Sequence, residues 1–500
     1  MAVVEEVPSS QPQSDRLWSI ETNGVNPIPQ AERHGRPFDM FWIWFASNIG
    51  VLGITYGAFL VTFYHLSLGQ AVLAGLVGTV VSFLLVGFIS LAGKLGSAPT
   101  LILSRAAFGV RGNALTTAVS YVSLVGWEII LTALGALAAE TVLARLGLPP
   151  GPLVLAVSFV VVAAVTVAIA LLGHATIVRI QQWFTWAFGA MTVMFFILEI
   201  GKIDWQKVGA LPSGPLLAGV VGGISIVMAG FGIGWVNAAA DYSRYLPRSS
   251  SSAAVVGWTT FGASLGPVVL IVFGVLLAAN DSTLATTSNP VGALGAALPT
   301  WFLVPYLLTA VGGLIAAVLL DLYSGGLNLL TLGVPLARYK SVAIDACLMI
   351  IGNIYVLFIA RSFFAPFEGF LVTLGVLLAA WAAIFLTDMW LYRIKDGYDE
   401  VDLYRVAGRY GAFNSAGLVS FLVAVVVGLG LVTSTSPAFS WVGYLLKALP
   451  KTLASSLSNS SIGLLVAFVI GGVLYLGISP FARPSRRPRR SAPESKLGSG

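Results

Sequence analysis

Two carboxylic acids lie in the middle of long apolar stretches of this sequence. Glu128 occurs within LVGWEIILT and Asp321 within AAVLLDLYSGG. An acid at the centre of a membrane-spanning helix costs about 2.5–3.5 kcal/mol on insertion scales, and such acids form proton relays and polar binding sites. We therefore expect Glu128 and Asp321 to bind a proton or a polar ligand. The alternative is that hydroxyl groups on neighbouring helices simply satisfy both carboxyl groups.

Two tryptophans stand beside glycine within equally apolar stretches. Trp127 follows Gly126, and Trp235 follows Gly234. Membrane tryptophans usually lie at the lipid–water interface, whereas an indole face beside glycine leaves a slot for a flat ring. We predict that Trp127 and Trp235 stack on a planar ligand; the alternative is that they only fill core volume. Five other tryptophans fit an interfacial position: Trp42, Trp44, Trp381, Trp390 and Trp441.

The composition places these residues in a membrane. Of 500 residues, 57% are hydrophobic and only 10% are charged, which is too little charge to cover a soluble domain of this size. The pattern lacks two-residue alternation, so we expect an all-α polytopic membrane protein. A spanning helix needs about 20 apolar residues. Twelve segments qualify: 40–64, 70–93, 114–145, 152–173, 180–200, 216–240, 254–279, 300–331, 341–360, 365–391, 414–433 and 461–479.

The distribution of basic residues predicts the orientation. With the N-terminus in the cytoplasm, 21 of the 27 Lys and Arg residues fall on the cytoplasmic side, as the positive-inside rule requires. The net charge of +6 and the stretch RPSRRPRR (483–490) then indicate an anchor at the surface of the lipid bilayer, not a nucleic-acid site. Both tails, 1–38 and 480–500, are rich in Pro, Ser and charge, so we expect them to be cytoplasmic and disordered. The expected location is the cell membrane.

Glycine interrupts two of the twelve segments. The first segment contains FASNIGVLGITYG (45–57), and the sixth, five segments later, contains GFGIGW (230–235). Helices that break in corresponding positions are typical of inverted repeats, and a bound ligand can satisfy the backbone groups that a break frees. The alternative is that these glycines only let helices approach closely. The expected units are a core over 39–391 with repeats at about 39–200 and 216–391, a cytoplasmic loop (392–413) and two accessory helices (414–479).

The remaining membrane acids lie nearer the ends of their segments. Asp345 and Asp388 fall near cytoplasmic ends, where water reaches them, and Glu199 falls near an outer end. Asp241 and Arg244 follow the interruption of the sixth segment, so we expect them at its cytoplasmic mouth. A pairing of Asp241 with a nearby Arg is plausible, although the sequence leaves its partner open.

Residues that could form an enzyme site or a metal site are scattered. Cys347 is the only cysteine, so no intramolecular disulfide forms. His34, His65 and His174 lack the spacing of metal ligands, and no pair of nucleophile and base stands out. We therefore expect neither an enzyme nor a bound metal or cofactor.

Several motifs resemble those of the nucleobase–cation symporter family, in its purine–cytosine permease branch. The resemblance runs from about Ile20 to about Gly411. Its most specific match is GWVNAAADYSRYLP (234–247). The other matching motifs are IETNGVNPIPQAERHGRP, WFASN, LILSRAAFGVRGN (101–113) with the following VGWE, and DLYSGGL (321–327).

This resemblance implies a leucine-transporter-type fold of 12 transmembrane helices, with a 5+5 inverted repeat plus two extra helices. Family members import nucleobases and related compounds together with a proton or a sodium ion. For this chain the resemblance implies a nucleobase-like substrate. From their positions in the sequence, we expect Glu128 to assist recognition or carry the proton, and Asp241 and Arg244 to hold the inner gate. A monomer or weak oligomer is expected. The positions that match the family's substrate site are Ser47, Asn48, Trp127, Phe231, Gly232, Trp235 and Asp321.

Three departures from the family pattern affect this expectation. Leu131 stands where many members carry Asn or Gln, and Asp321 stands where fungal-type members carry a substrate-binding Asn. An ionised Asp only accepts hydrogen bonds. Ala316 and Ala317 replace the paired hydroxyls of sodium-coupled relatives, so a proton is favoured over sodium. The substrate stays open between a cytosine- or purine-type base and a vitamin precursor, a hydantoin- or allantoin-like compound or an amine.

Overall fold

The protein is built from long helices that pack side by side. The computed structural model describes residues 17–21, 23–287, 289–296, 298–360, 364–458 and 460–482, and within them it contains helices and loops without strands. The predicted all-α membrane fold is therefore confirmed. The first helices are α1 (Asp39–Asn48), α2 (Leu52–Thr62), α3 (Leu68–Gly96), α4 (Asn113–Arg145), α5 (Pro152–Leu172) and α6 (His174–Ile200). The next are α7 (Gly222–Gly230), α8 (Ala239–Ser243), α9 (Ser252–Asn280), α10 (Thr300–Thr331), α11 (Arg338–Phe358) and α12 (Phe364–Asp388). Further along the chain lie α13 (Ser415–Gly430) and α14 (Gly463–Ala482), with the short helix Lys451–Ser458 between them.

The number of membrane spans is close to the twelve predicted. Among the described residues, ten helical stretches are long and apolar enough to cross a membrane, and the bent pair α1–α2 makes up to eleven. The remaining predicted segment, 414–433, contains α13, which has 16 residues. At 1.5 Å per residue α13 is about 24 Å long, shorter than the ~30 Å hydrocarbon core. The count of twelve is therefore not confirmed.

Both predicted interruptions are present. After α1 the backbone of Ile49 turns to φ −84° and ψ 85°, and α2 continues at 56° to α1. After α7 the backbone of Phe231 adopts φ −119° and ψ −106°, outside the helical region. A short helical turn, Gly232–Trp235, and a 3-10 turn, Val236–Ala238, then lead into α8. The two breaks free backbone groups in the interior of the bundle.

The glycines at the second break also allow close packing. A Cβ atom on Gly232 would lie 2.5 Å from the backbone N of Phe83 in α3. A Cβ on Gly230 would overlap the hydroxyl of Tyr56 in α2. Real Cβ atoms do not approach other atoms this closely, so the glycines serve the break and the helix approach together.

The segment before α1 is part of the folded body. Glu21 is 5% exposed, Asn23 4% and Ile28 2%, and the backbone N of Ile28 donates to Ser97 O at 2.8 Å. The predicted disorder of 1–38 is therefore wrong for the described residues from Leu17 onward. Polar side chains with specific partners fix this segment, and composition alone does not reveal them. Residues 1–16 and 483–500 lie outside the described part.

Two of the tryptophans expected at the interface are instead fully enclosed. Trp44 is 0% exposed and packs edge-on against Trp235, with ring centroids 5.6 Å apart. Trp381 is 2% exposed, and its Nε1 donates to Ser104 Oγ at 2.9 Å. Position near a segment end does not determine which face of a helix a ring occupies. By contrast, Trp390 and Trp441 are exposed, at 52% and 53%.

The prediction that water reaches Asp388 is wrong. Its side chain is 3% exposed and forms a two-pronged ion pair with Arg393, with distances of 2.7 and 2.9 Å. Tyr475 Oη donates to the same carboxylate at 2.8 Å. Glu199 is also buried at 4%, but it pairs with the half-exposed Lys202 at 2.6 Å, as suits the end of a helix. Asp388 is buried because its charge is compensated inside the bundle.

Candidate functional site

A cavity lies where the two helix breaks meet α4 and α10. The end of α1 and the loop to α2 form one part of its wall, and the region around Phe231 forms another. The lining residues are Ser47, Asn48, Gly50, Leu52, Trp127, Leu131, Gly230, Phe231, Gly234, Trp235, Gly313, Leu314 and Ala317. Five of the residues predicted to bind substrate are among them: Ser47, Asn48, Trp127, Phe231 and Trp235.

The polar corner of the cavity is held by internal hydrogen bonds. Asn48 Nδ2 donates to Trp44 O at 2.9 Å, and Ser47 Oγ donates to Ile43 O at 2.9 Å. Asn48 Oδ1 accepts from Trp235 Nε1 at 3.1 Å. This last bond joins the first break to the second and fixes both the amide and the indole. These hydrogen bonds therefore fix the orientation of the polar side chains that line the cavity.

Trp127 is held by aromatic rings of α12. It packs edge-on against Phe367 and Phe370, with centroid distances of 6.0 and 5.9 Å. The predicted slot beside Gly126 is filled, because a Cβ there would overlap the Phe370 ring. A Cβ on Gly234 would lie 3.1 Å from Trp127 Nε1, so this glycine brings the second break against the indole.

Phe231 and Gly232 have different roles in the wall. The Phe231 ring contacts Tyr56 at 5.0 Å between centroids and lines the cavity. The backbone N of Gly232 donates instead to Ser82 Oγ in α3 at 3.1 Å. Gly232 does not line the cavity, because this side of the break faces α3. Part of the freed backbone is thus satisfied by the protein rather than left for a ligand.

The two central acids lie behind the cavity wall. Asp321 is 1% exposed and Glu128 is 0% exposed, and neither lines the cavity. Asp321 lies one helical turn beyond Ala317, which does line it, and Glu128 directly follows Trp127. A step of one residue turns the side chain by about 100° around the helix, so Glu128 points away from the ligand side of α4.

A third acid joins these two where α4, α10 and α11 meet. Asp345 is 0% exposed and faces Glu128, and both lie against Gly325. A Cβ on Gly325 would overlap Asp345 Oδ2 and lie 3.2 Å from Glu128 Oε1. The expectation that water reaches Asp345 is therefore wrong. The sequence analysis did not predict that these acids lie together, because contacts between helices distant in sequence leave no local pattern.

The two gate candidates have separate partners. Asp241 Oδ1 accepts from the backbone N of Thr100 at 2.7 Å and from Thr100 Oγ1 at 2.8 Å. Arg244 binds Glu21 at 3.2 Å. Among the described residues, Asp241 forms no ion pair with an arginine, and Arg244 acts on it only through space. Sequence analysis did not predict the role of Glu21, because its partner Arg244 is more than 200 residues away in the chain.

The whole-chain comparisons agree with this architecture. The family described as permeases for cytosine/purines, uracil, thiamine and allantoin matches residues 27–478. The chain belongs to this permease family. The permease is 25% identical over 493 residues to the putative purine-cytosine permease YxlA of Bacillus subtilis, covering 96% of this chain and 99% of that one. It is 24% identical to the purine-cytosine permease FCY2 of Saccharomyces cerevisiae, covering 75% and 72% of the two chains.

Solved structures support the same fold for the permease. Mhp1, a nucleobase-cation-symport-1 family transporter in a closed conformation with bromovinylhydantoin bound, aligns with a TM-score of 0.72 at 19% identity. The alignment covers 93% of this chain and 96% of that one. A sodium-coupled sialic acid symporter aligns with a TM-score of 0.61 at 12% identity, over 92% of each chain. The predicted transporter fold is therefore confirmed, and the permease is a membrane transporter rather than an enzyme.

Proposed function

We propose that the permease imports a nucleobase of the cytosine or purine type, or a similar small nitrogen heterocycle, together with a proton. The observation that carries this proposal is the cavity between the two helix breaks. It combines two indoles with one polar corner, and its other walls are apolar. Binding sites for small molecules typically have this composition, apolar walls with a few fixed polar groups.

The ring of the substrate packs between Trp127 and either Trp235 or Phe231. Ser47, Asn48 and the backbone at Gly50 supply polar contacts at one edge of the ring. Gly232 contributes through the shape of the break rather than through contact, since its N–H already binds Ser82. Trp127 Nε1 lies beside Gly234 at the second break, and it is our candidate for a further donor to the ligand.

Glu128 and Asp321 are our candidates for carrying the proton. Their burial behind the wall supports a proton role more than direct substrate contact. Two carboxyl groups in contact cannot both be ionised at low energetic cost, and Glu128 faces Asp345. Ala316 and Ala317 offer no side-chain oxygen to a sodium ion, which also favours a proton.

Transport requires the cavity to open alternately to the two sides of the membrane. In this family of folds one helix bundle rocks against the other around a fixed site. We place Asp241 and Arg244 at the inner gate on the cytoplasmic side, with both termini in the cytoplasm and the transporter in the cell membrane as a monomer or weak oligomer.

Uptake of radiolabelled heterocycles into a transport-deficient host tests the proposal. A panel of cytosine, adenine, uracil and hypoxanthine is offered with and without a protonophore. We expect at least one base to enter well above the vector control, and the protonophore to abolish this entry. If no heterocycle enters above the control, the assignment is wrong.

A second substrate class is supported by one specific observation. Leu131 lines the cavity, so the amide that many relatives present to a base is absent here. A hydantoin- or allantoin-like compound, a vitamin precursor or an amine is therefore the alternative. These compounds are added as competitors to the uptake of the base that is transported best. The class of compound that the permease prefers should inhibit this uptake at the lower concentration.

A further inference from the structure

One carboxylate of the N-terminal segment is enclosed by hydrogen-bond donors. Glu21 Oε1 accepts from Tyr245 Oη at 2.6 Å and from Arg244 Nη2 at 3.2 Å. Tyr323 Oη donates to the same oxygen at 3.2 Å. The backbone N of His174 donates to Glu21 Oε2 at 2.9 Å. These donors fix both oxygens of the carboxylate.

A second arginine completes the enclosure. Arg338 Nη2 lies 3.4 Å from Glu21 Oε2. The side chains of Glu21, Arg244 and Arg338 are each no more than 1% exposed. We call the five residues that bind the carboxylate the Glu21 socket: His174, Arg244, Tyr245, Tyr323 and Arg338.

The Glu21 socket joins the two predicted repeats. His174 begins α6, which belongs to the first repeat. Tyr323 lies in α10 and Arg338 begins α11, both in the second repeat. Arg244, just after α8, also donates through Nη1 to the backbone O of Gly24 at 2.7 Å. The N-terminal segment therefore bridges elements that must separate if this end of the bundle opens.

A continuous series of aromatic contacts connects the cavity to the Glu21 socket. Trp235, which lines the cavity, packs on Trp44 at 5.6 Å between centroids. Trp44 packs on Tyr242 at 5.7 Å, and Tyr242 packs on Tyr323 at 5.7 Å. Contiguous packing of this kind can transmit a change from one site to the other.

The buried charges allow the Glu21 socket only two states, one with Glu21 bound and one with water admitted. When one partner of a buried ion pair is removed, the remaining charge is left uncompensated in the interior. Among the described residues, Glu21 is the carboxylate that pairs with both Arg244 and Arg338. If Glu21 leaves, water must enter to solvate the two guanidinium groups, and the entry of water opens this end.

We propose that Glu21 holds the end of the transporter that carries the N-terminal segment closed, and that it must leave the Glu21 socket each time the cavity opens to that side. This inference uses the alternating-access part of the proposed function but not its substrate. It also changes the gate prediction, because the partner of Arg244 lies in the N-terminal segment and not at Asp241.

The test is the accessibility of a buried cysteine in the full-length protein. Ser324 in α10 is 0% exposed and contacts Tyr242 Oη at 3.0 Å, between the cavity and the Glu21 socket. Ser324→Cys is introduced into a Cys347→Ser background, and a charged thiol reagent is applied separately to each side of membrane vesicles. Glu21→Gln is expected to raise the labelling rate from the N-terminal side by roughly tenfold or more, since a buried ion pair is lost.

Glu32→Gln is the matched control. Glu32 lies in the same segment and accepts from Asn23 Nδ2 at 3.1 Å instead of binding an arginine. We expect its labelling rate to equal that of the parent. Equal labelling rates for Glu21→Gln and the parent, or an equal rise for Glu32→Gln, would overturn the proposal.

If Glu21→Gln fails to reach the membrane, the labelling rate of Glu21→Asp tests the proposal instead. Its shorter side chain cannot reach both arginines, so a rate equal to that of the parent contradicts the socket. Because no substrate is needed, a failure of heterocycle uptake leaves this test unaffected.

Discussion

Trp127 and Asn48 are the side chains whose geometry most directly suits a planar polar ligand. Trp127 is braced by Phe367 and Phe370, and Asn48 is held by the Trp235 indole. Both positions could be predicted from the sequence, because an aromatic beside glycine and polar residues at a helix break are local signals. Position along the helix could not be predicted in the same way. Asp321 shares a helix face with Ala317 but lies one turn away and does not line the cavity. The periodicity of the sequence predicts the face of a helix, but not how far along it the cavity extends.

Replacing Trp127 by alanine removes an indole that lines the cavity and that we propose stacks on the substrate. We expect the apparent KM for the transported ring to rise roughly tenfold or more, because stacking of a base on an aromatic side chain is worth about 1–3 kcal/mol. Trp390→Ala is the control, since Trp390 is 52% exposed and does not line the cavity. An unchanged apparent KM in Trp127→Ala would remove this residue from the site.

Replacing Asp321 by asparagine removes a proton-binding group while keeping the size of the side chain. We expect the part of uptake that a proton gradient drives to fall to background. Any uptake that remains without the gradient should no longer depend on pH. Asp281→Asn, at an exposed loop position, should leave both properties unchanged. The role of Asp321 is wrong if import and its pH dependence both stay at the wild-type level.

The two broken helices are the elements that create the site, and both could be predicted from glycine clusters five segments apart. The N-terminal segment could not, because polar contacts bury it. Glu21 has neighbours from α6 to α11 that are distant in sequence, and only the folded chain brings them together. The meeting of Glu128 with Asp345 at Gly325 escaped prediction for the same reason.

The close approach at the second break makes Gly232 sensitive to any side chain. In Gly232→Ala the new Cβ would press on the backbone of Ser82 and Phe83 in α3. Overpacking of this kind destabilises by about 1–3 kcal/mol, so we expect a lower unfolding temperature for the purified protein. Gly257→Ala in α9 is the control, because nothing lies within 4 Å of its added Cβ. Equal unfolding temperatures for the two variants would contradict this packing.

The molecule as a whole combines a transporter fold with a cavity that lacks side-chain oxygens for sodium on α10. Ala316 and Ala317 lie about one turn of α10 after Gly313, which approaches Ile49 O at the first break. We therefore expect uptake to be unchanged when sodium is replaced by choline in the medium. If uptake strictly requires sodium, the prediction is wrong, and a sodium site rather than the carboxyl groups couples transport to the ion gradient.

Transport by purified permease in liposomes tests the central claim most directly. An inward proton gradient is imposed without sodium, and accumulation of the radiolabelled heterocycle is followed for the wild type and for Trp127→Ala. We predict accumulation above the equilibrium level only with the proton gradient, and a large reduction in the variant at low substrate concentration. Accumulation that needs a sodium gradient, or that is equal in both proteins, would contradict proton-coupled import through this cavity.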